Sequence, residues 1–283
     1  MYNFCRNSPY YEMVVKNINR EIDVQEKDEQ KKGEVQKIKD ACTSFSKDAC
    51  SFENSFSEDI CKKVLYMYKF LSKVQSLWKP PSTITNEDLN FLNYWLNVKL
   101  KYKSSNDSMC IRKFIEAIKS QGENFISVGI NLNEHLRVIH PSKLENMELL
   151  YKLYDNARNI LYMMKGEVHS DEEQKSCSDY TDDCSTKYRN AMDKCLNDDD
   201  DFYKALKDFK FSYIAIENET EDVNKCKSNS SFYLPEYDPV LERKQKKDML
   251  IQNITTPLIV LYIIPFIYKF TPFGSFLHHF IFH

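Results

Sequence analysis

From Ser57 onward the chain places its apolar residues with the period of an α-helix. Ile60, Val64, Met67, Leu71, Val74 and Trp78 follow one another at intervals of 4, 3, 4, 3 and 4 residues, which aligns them along one helix face. Ser57 is a candidate cap, Glu58 and Asp59 suit the positive end of the macrodipole, and Pro80 and Pro81 mark the stop. Thr85-x-x-Asp88 predicts a capping box opening a helix over residues 89–102. There Leu89, Leu92, Leu96 and Leu100 form one stripe and Phe91, Trp95, Val98 and Tyr102 a second, which predicts a helix central to its bundle.

The same spacing recurs downstream. Ile111, Phe114, Ile115 and Ile118 predict a helix, with a continuation after Gly122 over 125–136. Pro141 interrupts, and a helix starting at Ser142 or Lys143 carries Met147, Leu150, Tyr154, Ala157, Leu161 and Met164. Phe202, Leu206, Phe209, Tyr213 and Ile216 define another behind the acidic run 198–201, whose charge suits a helix start and lacks the ligand spacing of a calcium loop. Near the start, Val14, Val15, Ile18 and Ile22 give a short stripe, while 23–34 is polar all round and reads as a solvated helix or loose arm. No strand-period segment of useful length competes. The expected fold is all-α, an irregular multi-helix bundle with a single C-terminal transmembrane helix.

That last element is read from residues 249–268, which hold no charge and are bounded by Asp248 and Lys269. At about 1.5 Å per residue such a run reaches about 30 Å, the depth of a bilayer core. Gln252, Asn253, Thr255 and Thr256 dilute it, and Pro257 and Pro265 bend it, so a buried C-terminal helix is the competing reading. The stretch that follows (FTPFGSFLHHFIF) stays aromatic and apolar, which suits an interfacial continuation. The organisation expected is an N-terminal polar helical arm (1–42), a cysteine-bearing helical domain (43–226), a polar linker (227–248), the transmembrane segment (249–268) and a short aromatic tail (269–283). Arg243, Lys244, Lys246 and Lys247 precede the anchor, and the positive-inside rule would place the large region on the cytoplasmic side.

Composition narrows the chemistry. The chain of 283 residues has only 5 Gly, few for phosphate-cradling loops. Lys+Arg number 39 against 42 Asp+Glu, a net charge of −3 that gives no support for nucleic acid as a partner. The phosphate-loop, dinucleotide, H-E-x-x-H and G-x-S-x-G patterns are all absent. Residues 1–42 contain no apolar run of roughly 7–15 residues behind a basic start, so no cleavable signal is expected. Asn106, Asn218, Asn229 and Asn253 stand in glycosylation sequons, a short pattern frequent by chance in an Asn-rich chain.

Nine cysteines stand at 5, 42, 50, 61, 110, 177, 184, 195 and 226. Two clusters echo each other, Cys42-x7-Cys50-x10-Cys61 and Cys177-x6-Cys184-x10-Cys195. There is no CxxC pair, and His135 and His140 are five apart, so zinc is not expected. A partial disulfide framework is expected, pairing between clusters or across loops, and the odd count leaves at least one thiol over. No catalytic, cofactor-binding or metal residue is nominated.

Two blocks point to a family. Residues 87–96, Glu-Asp-Leu-Asn-Phe-Leu-Asn-Tyr-Trp-Leu, resemble the "C/D-x-Y-L-N-Y-W-L" block of the Plasmodium interspersed repeat proteins, the vir group of vivax-type malaria parasites. Residues 268–275, Tyr-Lys-Phe-Thr-Pro-Phe-Gly-Ser, are similar to the sequence that follows their anchor. The resemblance implies a variant surface antigen of the infected red cell, membrane-anchored and non-enzymatic, acting in immune evasion and adhesion to host receptors. Its partners would be the lipid bilayer and host-cell receptors or antibodies, met through polar loops such as 104–107 and 167–176. The alternative is a tail-anchored, cytoplasm-facing protein that traffics or scaffolds parasite-induced membranes.

Overall fold

A computed structural model describes residues 1–43, 45, 50, 57–78, 84–100, 107–121, 131–167, 175–198, 200–258 and 261. Among them the chain is all-helical. A 3-10 turn (Asn3–Asn7) leads into α1 (Ser8–Lys27), and a second (Glu29–Lys31) into α2 (Lys32–Thr43). Then come α3 (Ser57–Trp78), α4 (Asn86–Leu100), α5 (Asp107–Ser120) and the single turn α6 (Leu132–His135). The C-terminal half holds α7 (Pro141–Met164), α8 (Cys177–Asp193), α9 (Asp201–Glu217), a 3-10 turn (Cys226–Ser228) and α10 (Pro239–Leu258).

The helix starts show why these segments fold where they do. Thr85 and Asp88 form the expected capping box: Asp88 N–H donates to Thr85 Oγ1 (3.1 Å) and Thr85 N–H to Asp88 Oδ2 (3.1 Å). Asp200 caps α9 by accepting from Phe202 N–H at 2.9 Å, which gives part of the acidic run a helix-starting role. Pro141 does not interrupt a helix but opens one. It occupies the first turn of α7, where its missing donor costs nothing, and the His140 ring caps from outside. α7 ends in a Schellman motif, with Gly166 N–H donating to Met163 C=O, Glu167 N–H donating to Tyr162 C=O, and Gly166 at φ +66°.

One contiguous core runs through the bundle. α4 is central as its two stripes require, with Leu89, Phe91, Leu92, Trp95, Leu96 and Leu100 buried. α3 is more central than its single stripe implies, because Cys61, Leu65, Tyr66 and Tyr68 are buried alongside Ile60, Val64, Met67 and Leu71. The stripes of α5 and α9 are buried as their spacing requires. α7 buries Met147, Leu150, Ala157 and Met164, with Tyr154 and Leu161 partly covered.

Several expectations change. The segment 1–42 is no arm standing apart: Phe4, Tyr11, Val14, Ile18 and Ile38 belong to the common core, and Phe4 packs its ring against those of Tyr94 and Phe91. The polar run 23–34 is divided between α1, a 3-10 turn and α2, and Gln25 within it is buried. α8 corresponds to no element expected from the pattern. Residues 227–248 do not form a free linker either, since Phe232, Leu234 and Val240 are buried and α10 begins at Pro239, ahead of the uncharged run. Nine of the twenty anchor residues (259–260 and 262–268), the aromatic tail (269–283) and the 122–130 stretch lie outside the described residues, as do Pro80, Pro81 and Tyr102. Among the described residues no helix is long and apolar enough to cross a membrane.

Candidate functional site

Three features concentrate polar or sulfur chemistry inside the bundle. The first lies under the Leu92–Leu96 block. Asn93 and Asn97, one turn apart on α4, face an extended segment at 137–139 rather than solvent. Arg137 N–H donates to Asn93 Oδ1 at 2.9 Å and Ile139 N–H to Asn97 Oδ1 at 2.9 Å, while Asn97 Nδ2 donates to Arg137 C=O at 3.0 Å. The two amides take the place of a neighbouring strand. They satisfy the buried Ile139 N–H and the half-buried N–H and C=O of Arg137.

Nearby, Asp88 accepts a hydrogen bond from Tyr11 Oη at 3.0 Å, and the Tyr11 ring stacks on Phe91 with centroids 4.1 Å apart. Burial, with the Asp88 carboxylate beside it, pushes the Tyr11 phenol well above the ordinary tyrosine range. The family-like block is therefore a structural hub that ties α1, α4 and the 137–139 segment together.

The second feature is the cysteines. Cys42–Cys61 joins α2 to α3, Cys50–Cys110 joins the chain after α2 to α5, and Cys177–Cys226 joins the start of α8 to the last 3-10 turn. No bridge crosses between the two clusters, contrary to one of the pairings expected. Each half of the bundle closes its own loops. Cys5, Cys184 and Cys195 remain thiols and are fully buried. Burial raises the Cys184 thiol far above its ordinary value and pushes that of Cys195 up to about 12, so neither offers a thiolate at neutral pH.

The third feature is a groove of about 770 Å³ walled by α1 and α8 over α7. Two ion pairs line it. Asp183 accepts from Asn156 Nδ2 at 2.7 Å and pairs with Lys187, and Arg158 pairs with Asp155 at 2.6 Å. Burial pulls the Asp183 carboxyl upward, but the bonds from Lys187 and Asn156 outweigh it and hold the group below the usual carboxylate range. Lys16, Lys152 and Glu12 complete a rim of both signs. Among the described residues no three His, Cys, Asp or Glu side chains are grouped to hold a metal ion.

Of the expected binding loops, 104–106 and 168–174 lie outside the described residues. The flanking Ser176 caps α8 in a reciprocal box with Asp179. His140 serves as a helix cap and shares no ligand set with His135. Asn229, one of the sequon residues, donates to Thr181 Oγ1 at 2.6 Å, whereas Asn218 is exposed at the end of α9. Nothing in the sequence announced the groove, because α1 meets α7 and α8 from more than a hundred residues away. No family model matches the chain, and no curated protein or solved structure does either.

Proposed function

We propose that this chain is a membrane-anchored, non-enzymatic helical domain of the Plasmodium interspersed repeat type, presenting a variable surface to host receptors or antibodies. The observation that carries the reading is the disulfide framework. Three bridges between helices persist in an oxidising compartment and are rare where glutathione keeps thiols reduced. The groove over α7 and the exposed ends of the bundle offer polar surface for recognition. The apolar residues Met249, Leu250, Ile251 and Ile254 stand exposed on α10 at the entry to the uncharged run, which supports an anchor there.

The cytoplasm-facing alternative drew on the basic residues before the anchor. Two of them are engaged by the domain itself: Arg243 donates to Cys195 C=O at 2.5 Å and Lys244 pairs with Asp198 at 2.6 Å. Only Lys244 has its charge compensated; Arg243, bonded to a neutral carbonyl, keeps its charge beside Lys246 and Lys247, so the alternative is reduced by one cation of four.

Two measurements on intact infected red cells test the reading together. External protease should remove the domain if it faces outward and leave it whole if it faces the cytoplasm. Alkylation must be read after denaturation, because all nine sulfurs are buried in the fold. Without reduction, three thiols should react if the bridges exist in the cell. Nine reacting thiols together with protease resistance would overturn the proposal.

A further inference from the structure

The way α10 leaves the bundle specifies which surface of the domain faces lipid, granted the anchored reading above. α10 is one helix from Pro239 to Leu258. Its first turns are fastened. Val240 is buried, Asp238 accepts from Leu241 N–H at 3.0 Å and from Lys207 at 3.1 Å, and Arg243 and Lys244 hold Cys195 and Asp198. Every described side chain from Leu241 onward is exposed. Met249, Leu250 and Ile251 stand at successive steps of about 100° around the axis, and Ile254 falls between them. Asn253 breaks this arc once, between Met249 and Leu250, but the apolar side chains still reach around more than half the circumference, wider than the narrow stripe that a side-by-side protein partner asks for.

Helix geometry then sets the height of the domain. From Arg243 to Met249 is six residues, or about 9 Å along the axis. The polar zone of a bilayer is about 5–8 Å deep on each side of the hydrocarbon. With Met249 at the hydrocarbon edge and α10 upright, Arg243 stands just above the headgroups, and the Cys195 carbonyl that it grips sits at their outer margin. The next residue, Leu196, is 80% exposed, more than any other large apolar side chain among the described residues. An isolated exposed leucine would mean little. Here it lies at the point where the last fastened turn of α10 leaves the domain. Charge around it is mixed: Asp198 is paired with Lys244, Lys194 pairs with Glu145, Asp200 caps α9, Asp201 opens it, and Lys246 and Lys247 follow on α10. That balance suits a zwitterionic surface better than an anionic one.

We infer that the turn at residues 194–198 is the membrane-apposed surface of the domain, with Leu196 entering the interfacial zone of zwitterionic phospholipid and Lys246 and Lys247 at its phosphates. The rest of the bundle, including the groove over α7, is held above the lipid by a helical stem rather than by a flexible tether.

The test uses the full chain reconstituted into phosphatidylcholine vesicles containing a headgroup-nitroxide phosphatidylcholine. The native free thiols are buried, so a maleimide fluorophore reports single sites in Leu196→Cys and, as a remote control on α1, Val24→Cys. Lys194→Cys in the same turn carries the measurement if Leu196→Cys melts differently from the parent chain. Fluorescence at 196 or 194 should be quenched several-fold more than at 24, in chains that float with the vesicles and resist alkaline carbonate. Equal quenching in floating chains overturns this inference and leaves the anchor standing. Chains that do not float overturn both.

Discussion

Asn97 offers a sharp test of how the bundle is held together. It is 3% exposed and makes bonds to two backbone groups of the 137–139 segment. In Asn97→Ala the buried Ile139 N–H and the half-buried Arg137 C=O lose those partners. A buried donor or acceptor left unpaired costs about 1–3 kcal/mol, so the pair and the small cavity together predict a loss of about 2–5 kcal/mol. At roughly 2–4 °C per kcal/mol for a domain of this size, Tm should fall by about 10 °C. Circular dichroism melts of the full chain in detergent micelles measure it. Asn97→Asp adds a pH signature. It keeps the acceptor for Ile139 but presents a buried carboxylate to the Arg137 carbonyl, which raises the folded-state pKa above the unfolded value of about 3.9. The variant should therefore be least impaired near pH 4, where the protonated acid can donate, and lose stability as pH rises towards its folded pKa. A melting point for Asn97→Ala within error of the parent, or an Asn97→Asp penalty flat with pH, would refute the clamp.

Other consequences can be measured in the same assay. Removing Cys50–Cys110 as a double serine variant should cost about 4 kcal/mol and removing Cys42–Cys61 about 3, because the closed loops span 60 and 19 residues; the opposite order in urea denaturation would contradict the chain-entropy account. Gly166→Ala should lower stability by about 1–2 kcal/mol because φ there is +66°, although an added methyl would meet Val223 at an ordinary 3.5 Å. Gly33→Ala, in α2 with nothing within 4 Å, should instead stabilise by about 0.5–1 kcal/mol. The lowered pKa of Asp183 predicts a contribution that is present above its unfolded pKa and lost as pH falls through the folded value. Asp183→Asn should flatten that acidic limb of the stability–pH curve; an unchanged limb would show that the carboxylate is not held by Lys187 and Asn156.

What could be read from the chain alone follows from side-chain type. α3, α4, α5 and α9 announced themselves because bulky aliphatic and aromatic residues recur at intervals of three and four. α8 did not. Its buried positions are Cys177, Tyr180, Thr181, Cys184, Tyr188, Ala191 and Met192, several of them residues a hydrophobic count treats as neutral, and its cysteines read as loop staples. Asn93 and Asn97 were hidden for a related reason: a polar residue in a helical pattern is assigned to solvent, and its partner segment lies some forty residues on. Pro141 shows the limit of local rules, since the same ring that breaks a helix interior favours a helix start. The N-terminal turn escaped notice because Phe4 and Cys5 are too few to make a period, yet both are fully buried.

The closure of Cys177 with Cys226 has a mechanical consequence. Tension on the chain beyond Leu258 first meets the contacts of Arg243, Lys244 and Asp238 and must peel α10 away from α8 and α9. It then draws out residues 227–238, uncovering Phe232 and Leu234, and stops at the sulfur bridge, which passes the load to the start of α8. About 22 residues lie between Cys226 and Met249, so the domain can be pulled roughly 75–80 Å from its point of attachment while the remainder of the bundle stays folded.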